Sequence, residues 1–305
     1  MFRPEGVYPA LLTPFSADLR VNEAELRKLV EFCIGKGVHG IFPVSSVGEG
    51  LHMDHDEKCR CMDIVVDQVA GRIPVTPGVV GSYPQECIRL AKHAASLGCA
   101  AVVVTPPYYF KPSPSMVQRF FETIGEESGI PLILYNIPLF TQPLDYATAA
   151  SLSTKDYVVG MKDSSGSMVD FLHFTDAIQR AGGEVQMLTG REENLIPSLL
   201  MGAKGCITAS SGIFPEIMVG AYDAWMDGNV EEAKALQREI LILVRTMFAA
   251  PFPVGFKLAL ELRGFEMGPP LLPLGTTDEE KLESVKQELK PLMEKALKRF
   301  EGVSA

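Results

Sequence analysis

Basic residues are in short supply in this chain. Twenty-eight lysines and arginines face 38 aspartates and glutamates, for a formal net charge of −10. No block of like charge stands out. Nucleic acids and anionic membranes are bound through basic patches, so neither is expected as a partner. A small substrate stays open, because a site can be locally positive. Long apolar runs are absent too, and none reaches the roughly 20 residues that span a bilayer. The start, Met1-Phe2-Arg3-Pro4-Glu5-Gly6, shows no apolar core of a secretory signal. Cysteines are few and scattered: Cys33, Cys59, Cys61, Cys87, Cys99 and Cys206 fall in expected helices and strands. They suit buried thiols of a reducing cytosol rather than a disulfide frame, so a cytoplasmic protein is expected.

What the chain does have is alternation. Its 305 residues, 47% hydrophobic, suffice for one large core. Short apolar runs lie at residues 7–12, 40–44, 73–79, 100–105, 131–135, 158–162, 185–189 and 205–208. They are continuous rather than alternating, as in parallel strands buried on both faces. Helical spacing marks 22–36, 54–70, 84–97, 114–128, 167–180 and 215–226, several opened by proline or a polar cap. Eight such units in tandem read as an α/β fold, a TIM (β/α)8 barrel. A doubly wound sheet would carry a Gly-rich nucleotide turn after its first strand. Here that place holds Thr13-Pro14-Phe15. Beyond residue 228 the strand signal stops, and 231–248, 254–262 and 278–300 look helical. The division expected is a catalytic barrel over 1–228 and a C-terminal helical region over 229–305.

In such barrels chemistry gathers where strands end. Lys162 closes the run Tyr157-Val158-Val159-Gly160-Met161 and precedes the loop Asp163-Ser164-Ser165-Gly166. A strand-end lysine often only snorkels to solvent. In a water-poor pocket its amine can instead attack a carbonyl and hold it as a Schiff base. Other strand ends supply Thr13, the turn Ser45-Ser46-Val47-Gly48-Glu49, Tyr135-Asn136-Ile137-Pro138, and Gly190-Arg191-Glu192-Glu193. A lysine nucleophile, the Tyr135 hydroxyl to shuttle protons and the Ser46 hydroxyl to orient it make a Schiff-base set. Amides of the Ser-Val-Gly turn can hold a carboxylate.

These motifs resemble the dihydrodipicolinate synthase / N-acetylneuraminate lyase family of pyruvate-dependent class I aldolases. The likeness runs from Pro9 to the helical tail. It implies a pyruvate imine on Lys162, Tyr135 as general acid/base, and Ser46 in the turn that binds the pyruvate carboxylate and relays protons. It implies no metal and no cofactor beyond that covalent imine. Tyr109 matches a tyrosine that reaches into a neighbouring subunit's site, which implies a homodimer or homotetramer.

The departures bear on the second substrate. The family's hydroxyl pair before Gly48-Glu49 falls here on Ser46 and Val47, so one hydroxyl is lost. The arginine that receives the carboxylate of aspartate semialdehyde in authentic synthases is replaced by Phe140. A Gly-Tyr-Asp-Glu segment that grips sugar hydroxyls in sialic-acid lyases appears as Gly190-Arg191-Glu192-Glu193. Arg191 could hold a second carboxylate or pair with a nearby acid. Thr13, Val47, Gly48 and Phe140 are therefore expected at the substrate, with Gly190, Arg191, Glu192 and Ile207 across the mouth. The expected activity is a Schiff-base carbon–carbon lyase or dehydratase. It joins pyruvate to, or releases it from, a small hydroxylated aldehyde or 2-keto-3-deoxy acid. An authentic synthase and a non-catalytic ligand sensor on the same barrel are the rival readings. The cluster His52, His55 and Cys59 is read as helix start and packing rather than a metal site, with Asp54 as N-cap.

Overall fold

The computed structural model describes residues 2–300. Seven strands, β1 (Gly6–Pro9), β2 (Gly78–Val79), β3 (Val102–Val104), β4 (Leu132–Asn136), β5 (Val158–Asp163), β6 (Gln186–Thr189) and β7 (Gly205–Thr208), form one parallel sheet. Their order is β1-β7-β6-β5-β4-β3-β2. Residues 41–42 span the gap between the two ends. Phe42 bridges Ala10 and Ile41 bridges Val75, both parallel. Phe42 N–H donates to Pro9 O at 2.9 Å, and Ile41 N–H to Pro74 O at 2.9 Å. The sheet thus curls round on itself in a TIM-barrel-like α/β fold.

The 40–44 run makes bridges where a full strand was expected, and 73–79 keeps only β2 and the bridge at Val75. Pro43, Pro74 and Pro77 explain the shortfall: each removes an amide donor from the ladder.

Helices α1 (Glu23–Gly35), α2 (His55–Val69), α3 (Pro84–Ser96), α4 (Pro114–Ser128), α5 (Tyr146–Ser153), α6 (Met168–Arg180), α7 (Leu195–Leu200) and α8 (Pro215–Met226) alternate with the strands. Asn22, Asp54, Ser113, Asp145 and Ser167 each accept an N–H of the first turn, which fixes where α1, α2, α4, α5 and α6 begin. No helix among the described residues is long and apolar enough to cross a membrane.

The tail is α9 (Val230–Met247), α10 (Val254–Leu262) and α11 (Thr276–Leu297). Residues 301–305 of the expected C-terminal region lie outside the described residues. The tail does not build a core of its own size. Leu236, Ile240 and Leu243 of α9 and Phe256 and Leu260 of α10 share one hydrophobic cluster with the strands. Folding back in this way brings Phe248, Phe252, Phe256 and Lys257 to the strand-end face of the barrel.

Candidate active site

Parallel pairing sets the centre of the site. Tyr135 of β4 lies beside Lys162 of β5, and Asn136 beside Asp163. The Asp163 carboxylate accepts Asn136 Nδ2 at 2.7 Å and Ser165 Oγ at 2.7 Å, and Asn136 Oδ1 accepts Leu144 N–H at 3.0 Å. The two strand ends are therefore tied together directly behind the lysine. Burial pushes the Asp163 carboxyl above its ordinary range, while Asn136 and Ser165 pull it back.

Lys162 is 3% exposed. Its Nζ lies 4.1 Å from the Tyr135 ring centroid and 4.9 Å from that of Phe42. The acids around it are engaged elsewhere: Asp163 as described, Glu193 with Arg191, and Glu49 with Lys257. Glu192 is buried, and its Oε1 accepts Ser210 N–H at 3.0 Å. Burial raises the Glu192 carboxyl, opposed by that amide. Gly190 leaves room for the lysine arm. A Cβ there would stand 2.7 Å from Lys162 Cε and 1.9 Å from Ser164 Oγ, so any side chain would displace the lysine arm.

The turn at 44–50 forms the opposite wall. Val44 (φ 54°) and Glu49 (φ 59°) bracket it in left-handed backbone. For β-branched Val44 this is costly, and such strain persists only where surrounding contacts hold it. Ser45 supplies one contact: its Oγ donates to Leu11 O at 2.9 Å and accepts Gly48 N–H at 3.0 Å. Glu49 supplies the strongest. Its Oε1 accepts Lys257 Nζ at 2.9 Å and its Oε2 accepts Leu271 N–H at 2.7 Å. Lys257 Nζ also donates to Pro269 O at 3.1 Å. Burial lowers the Lys257 ammonium from the usual lysine range, and Glu49 opposes that shift. With Gly48 N–H used by Ser45, the amides of Ser46 and Val47 are among those of the turn that no acceptor among the described residues takes. Both residues line the cleft.

The cleft holds a cavity of about 60 Å³ behind an open mouth. Ser46, Val47, Tyr135, Phe140 and Lys162 line it, as do Gly190, Arg191, Glu192 and Ile207. Two residues expected at the substrate, Thr13 and Gly48, are not among those lining it. Thr13 packs under the turn, where a Cβ on Gly48 would meet Leu11 O at 2.4 Å and Thr13 Oγ1 at 2.9 Å. Tyr109, expected to reach into a neighbouring subunit's site, is 91% exposed, at φ 78°, and lines a depression that shares Leu139 and Phe140 with the cleft. No hydrogen bond among the described residues joins Ser46 to Tyr135, so the orienting role expected of Ser46 has no contact behind it. Arg191 takes the second of its two alternatives: Nη2 and Nε both donate to the Glu193 carboxylate, at 2.9 and 3.2 Å.

A strand-end lysine thus lies beside a tyrosine in a cleft walled by Ser46 and Val47 of the turn. The model of the dihydrodipicolinate synthetase family matches residues 3–292. The chain belongs to this family. It is a lyase, which sets aside the ligand-sensing reading. A 4-hydroxy-tetrahydrodipicolinate synthase of Methanopyrus kandleri is 37% identical over 294 residues, 95% of this chain and 97% of that one. An uncharacterized DapA-like lyase of Thermofilum pendens is 32% identical, over 93% of this chain and 97% of its own. Among solved structures, YagE of E. coli K12, a family member crystallised in complex with pyruvate, superposes with a TM-score of 0.89 at 29% identity, covering 95% of this chain and 98% of that one.

Two features of this family member were not legible in the sequence. Ser164 Oγ is buried at the cleft with no hydrogen-bond partner among the described residues. The Ser164-Ser165 pair reads simply as a polar loop. The Glu49–Lys257 ion pair joins residues 208 apart, and no spacing rule reaches that far.

Proposed function

We propose that Lys162 forms an imine with the keto carbon of pyruvate, and that the cleft uses it to join pyruvate to an aldehyde or to release it from the adduct. The observation that carries this reading is the Lys162 amine itself, buried at the cleft against Tyr135 while the neighbouring carboxylates are held by other partners. The likeness to a structure holding pyruvate supports the keto substrate. A carboxylate on the Ser46 and Val47 N–H groups would turn the keto carbon toward the amine. Attack by Nζ gives a carbinolamine, and the Tyr135 hydroxyl protonates the departing oxygen so that water leaves. The imine then draws electrons from C3. That carbon can lose a proton to become a nucleophilic enamine, or the C3–C4 bond can break. The imine is the electron sink, so this route calls on no metal or other cofactor.

Tyr135→Phe keeps the ring and removes the proton donor. It is expected to lower kcat by about 10²-fold, the scale of lost general acid/base catalysis. Ser46→Ala should cost less, since nothing in the fold couples it to Tyr135. A Tyr135→Phe enzyme within about twofold of wild type would contradict the tyrosine's role.

On the aldehyde side, the reading is a partner without a carboxylate at the Phe140 position. The product is then a 2-keto-3-deoxy acid with a hydroxyl at C4, for which Ser164 Oγ and Glu192 offer polar partners near the reacting carbons. The names of several relatives favour a second reading, authentic 4-hydroxy-tetrahydrodipicolinate synthase. Against it, Phe140 offers no cation, and Arg191 is already paired with Glu193. Leaving a substrate carboxylate unpaired costs about 2 kcal/mol or more, about 30-fold in affinity. The comparison that checks this is kcat/KM for aspartate semialdehyde plus pyruvate against pyruvate release from 2-keto-3-deoxy acids lacking a second carboxylate. The keto-deoxy acids should be favoured. Preference for aspartate semialdehyde would overturn the use made of Phe140.

A further inference from the structure

The cleft has two chemically different ends. Its inner end holds Lys162, Tyr135, Ser46 and the unpartnered Ser164 hydroxyl. Its outer end is a wall of phenylalanine rings, Phe140, Phe248, Phe252 and Phe256. Phe140 packs on Phe252 with centroids 5.2 Å apart, and Phe252 stacks on Phe248 at 14° between planes. Phe256, fully buried, braces both from behind, edge-on at 4.9 Å from Phe248 and 5.8 Å from Phe252. The wall is therefore held in place, yet Phe140 stays 43% exposed and Phe248 and Phe252 are half-buried. Part of the apolar ring surface lines the cleft.

The polar groups at this end do not change its character. The Arg191 guanidinium lies over Phe248 at 5.1 Å and gives two of its donors to Glu193. Where it lies against the ring faces rather than the remaining Arg191 donors, a polyhydroxylated chain would lose water without gaining hydrogen bonds, which is unfavourable. A flat aromatic group would gain offset or edge-on ring contacts in addition to burial.

We infer that the aldehyde partner carries an aromatic ring, and that the natural adduct is a 4-aryl-4-hydroxy-2-oxo acid. This rests on the Lys162 imine proposed above and specifies the second substrate. In the joining direction, C3 of the pyruvate enamine forms a bond to the aryl aldehyde carbon. The carbonyl electron pair moves to oxygen, which takes a proton from the Tyr135 hydroxyl and becomes the C4 hydroxyl. One water then hydrolyses the imine, freeing Lys162 and the 2-oxo acid. Electrons and atoms balance without an external oxidant or reductant. The C4 hydroxyl falls at the inner end, by Ser164, and the ring on the phenylalanine wall.

The test measures pyruvate release by the full chain from 4-hydroxy-2-oxo-4-phenylbutanoate and from a 2-keto-3-deoxyhexonate, and repeats both with Phe140→Asn. The phenyl compound should be favoured in kcat/KM by about tenfold or more, the scale that a few apolar contacts give. Phe140→Asn should shrink that ratio several-fold, whereas a general loss of structure would lower both rates together. Preference for the polyol, or a ratio untouched by Phe140→Asn, overturns the inference, the latter result fitting a wall that meets a second copy of the chain. Borohydride trapping of wild-type protein with pyruvate separates the two levels. Trapping with the wrong substrate preference rejects the aromatic partner alone. No trapping rejects the imine on which it rests.

Discussion

Lys162→Ala is expected to lower turnover by about 10⁴-fold or more, the scale at which loss of a covalent nucleophile is felt. The cleft would keep its amides and its phenylalanine wall, so ligands could still enter. What disappears is the bond that makes the keto group an electron sink. Lys162 touches Tyr135 and Phe42 but forms no ion pair with the acids of the site. Its removal should therefore leave thermal stability close to wild type, and circular dichroism and a melting curve check this beside the rate. A variant that retains substantial turnover would move the nucleophile elsewhere. Lys257 would not be the replacement, because its amine is fixed between Glu49 and Pro269 O.

Lys257→Met is expected to act in the opposite way, on the fold first. Lys257 and Glu49 are both almost fully buried and face each other at 2.9 Å. Removing one partner leaves a buried charge uncompensated, at a cost of about 3–5 kcal/mol. The loss should appear in the urea midpoint at unchanged m-value. It should also appear in the site, since Glu49 ends the turn that offers the Ser46 and Val47 amides. KM for pyruvate should rise more than kcat falls. The double variant Glu49→Gln/Lys257→Met removes the orphaned charge and should recover part of the stability. If Lys257→Met melts like wild type, the ion pair does not hold this turn in place.

Much of this could be read from the sequence because barrel chemistry follows strand ends. Lys162 and Tyr135 each close a continuous apolar run, and register alone then sets them side by side. Gly190, Arg191 and Glu192 reached the mouth for the same reason. Residues became illegible when their placement depended on the chain folding back. Phe248, Phe252 and Phe256 look like the apolar stripe of tail helices, yet they close the cleft. Glu49 looks like one more polar turn residue, yet it anchors a segment far along the chain. Helix α5 was missed because its Ala- and Ser-rich sequence, YATAASLS, carries no apolar stripe. Helix α7, with only LIPSLL, is too short to show a period. Thr13 was expected at a strand end, but β1 stops at Pro9, and Thr13 packs under Gly48. The expected partnership of Ser46 and Tyr135 was a matter of side-chain direction, which spacing does not encode.

The most direct test of the account is reductive trapping. Wild-type protein is incubated with pyruvate, treated with borohydride, digested, and mapped by mass spectrometry. The account predicts a single stable adduct of reduced pyruvate on the peptide that contains Lys162, absent without pyruvate and absent in Lys162→Ala. An adduct on another lysine, or none at all, would contradict it.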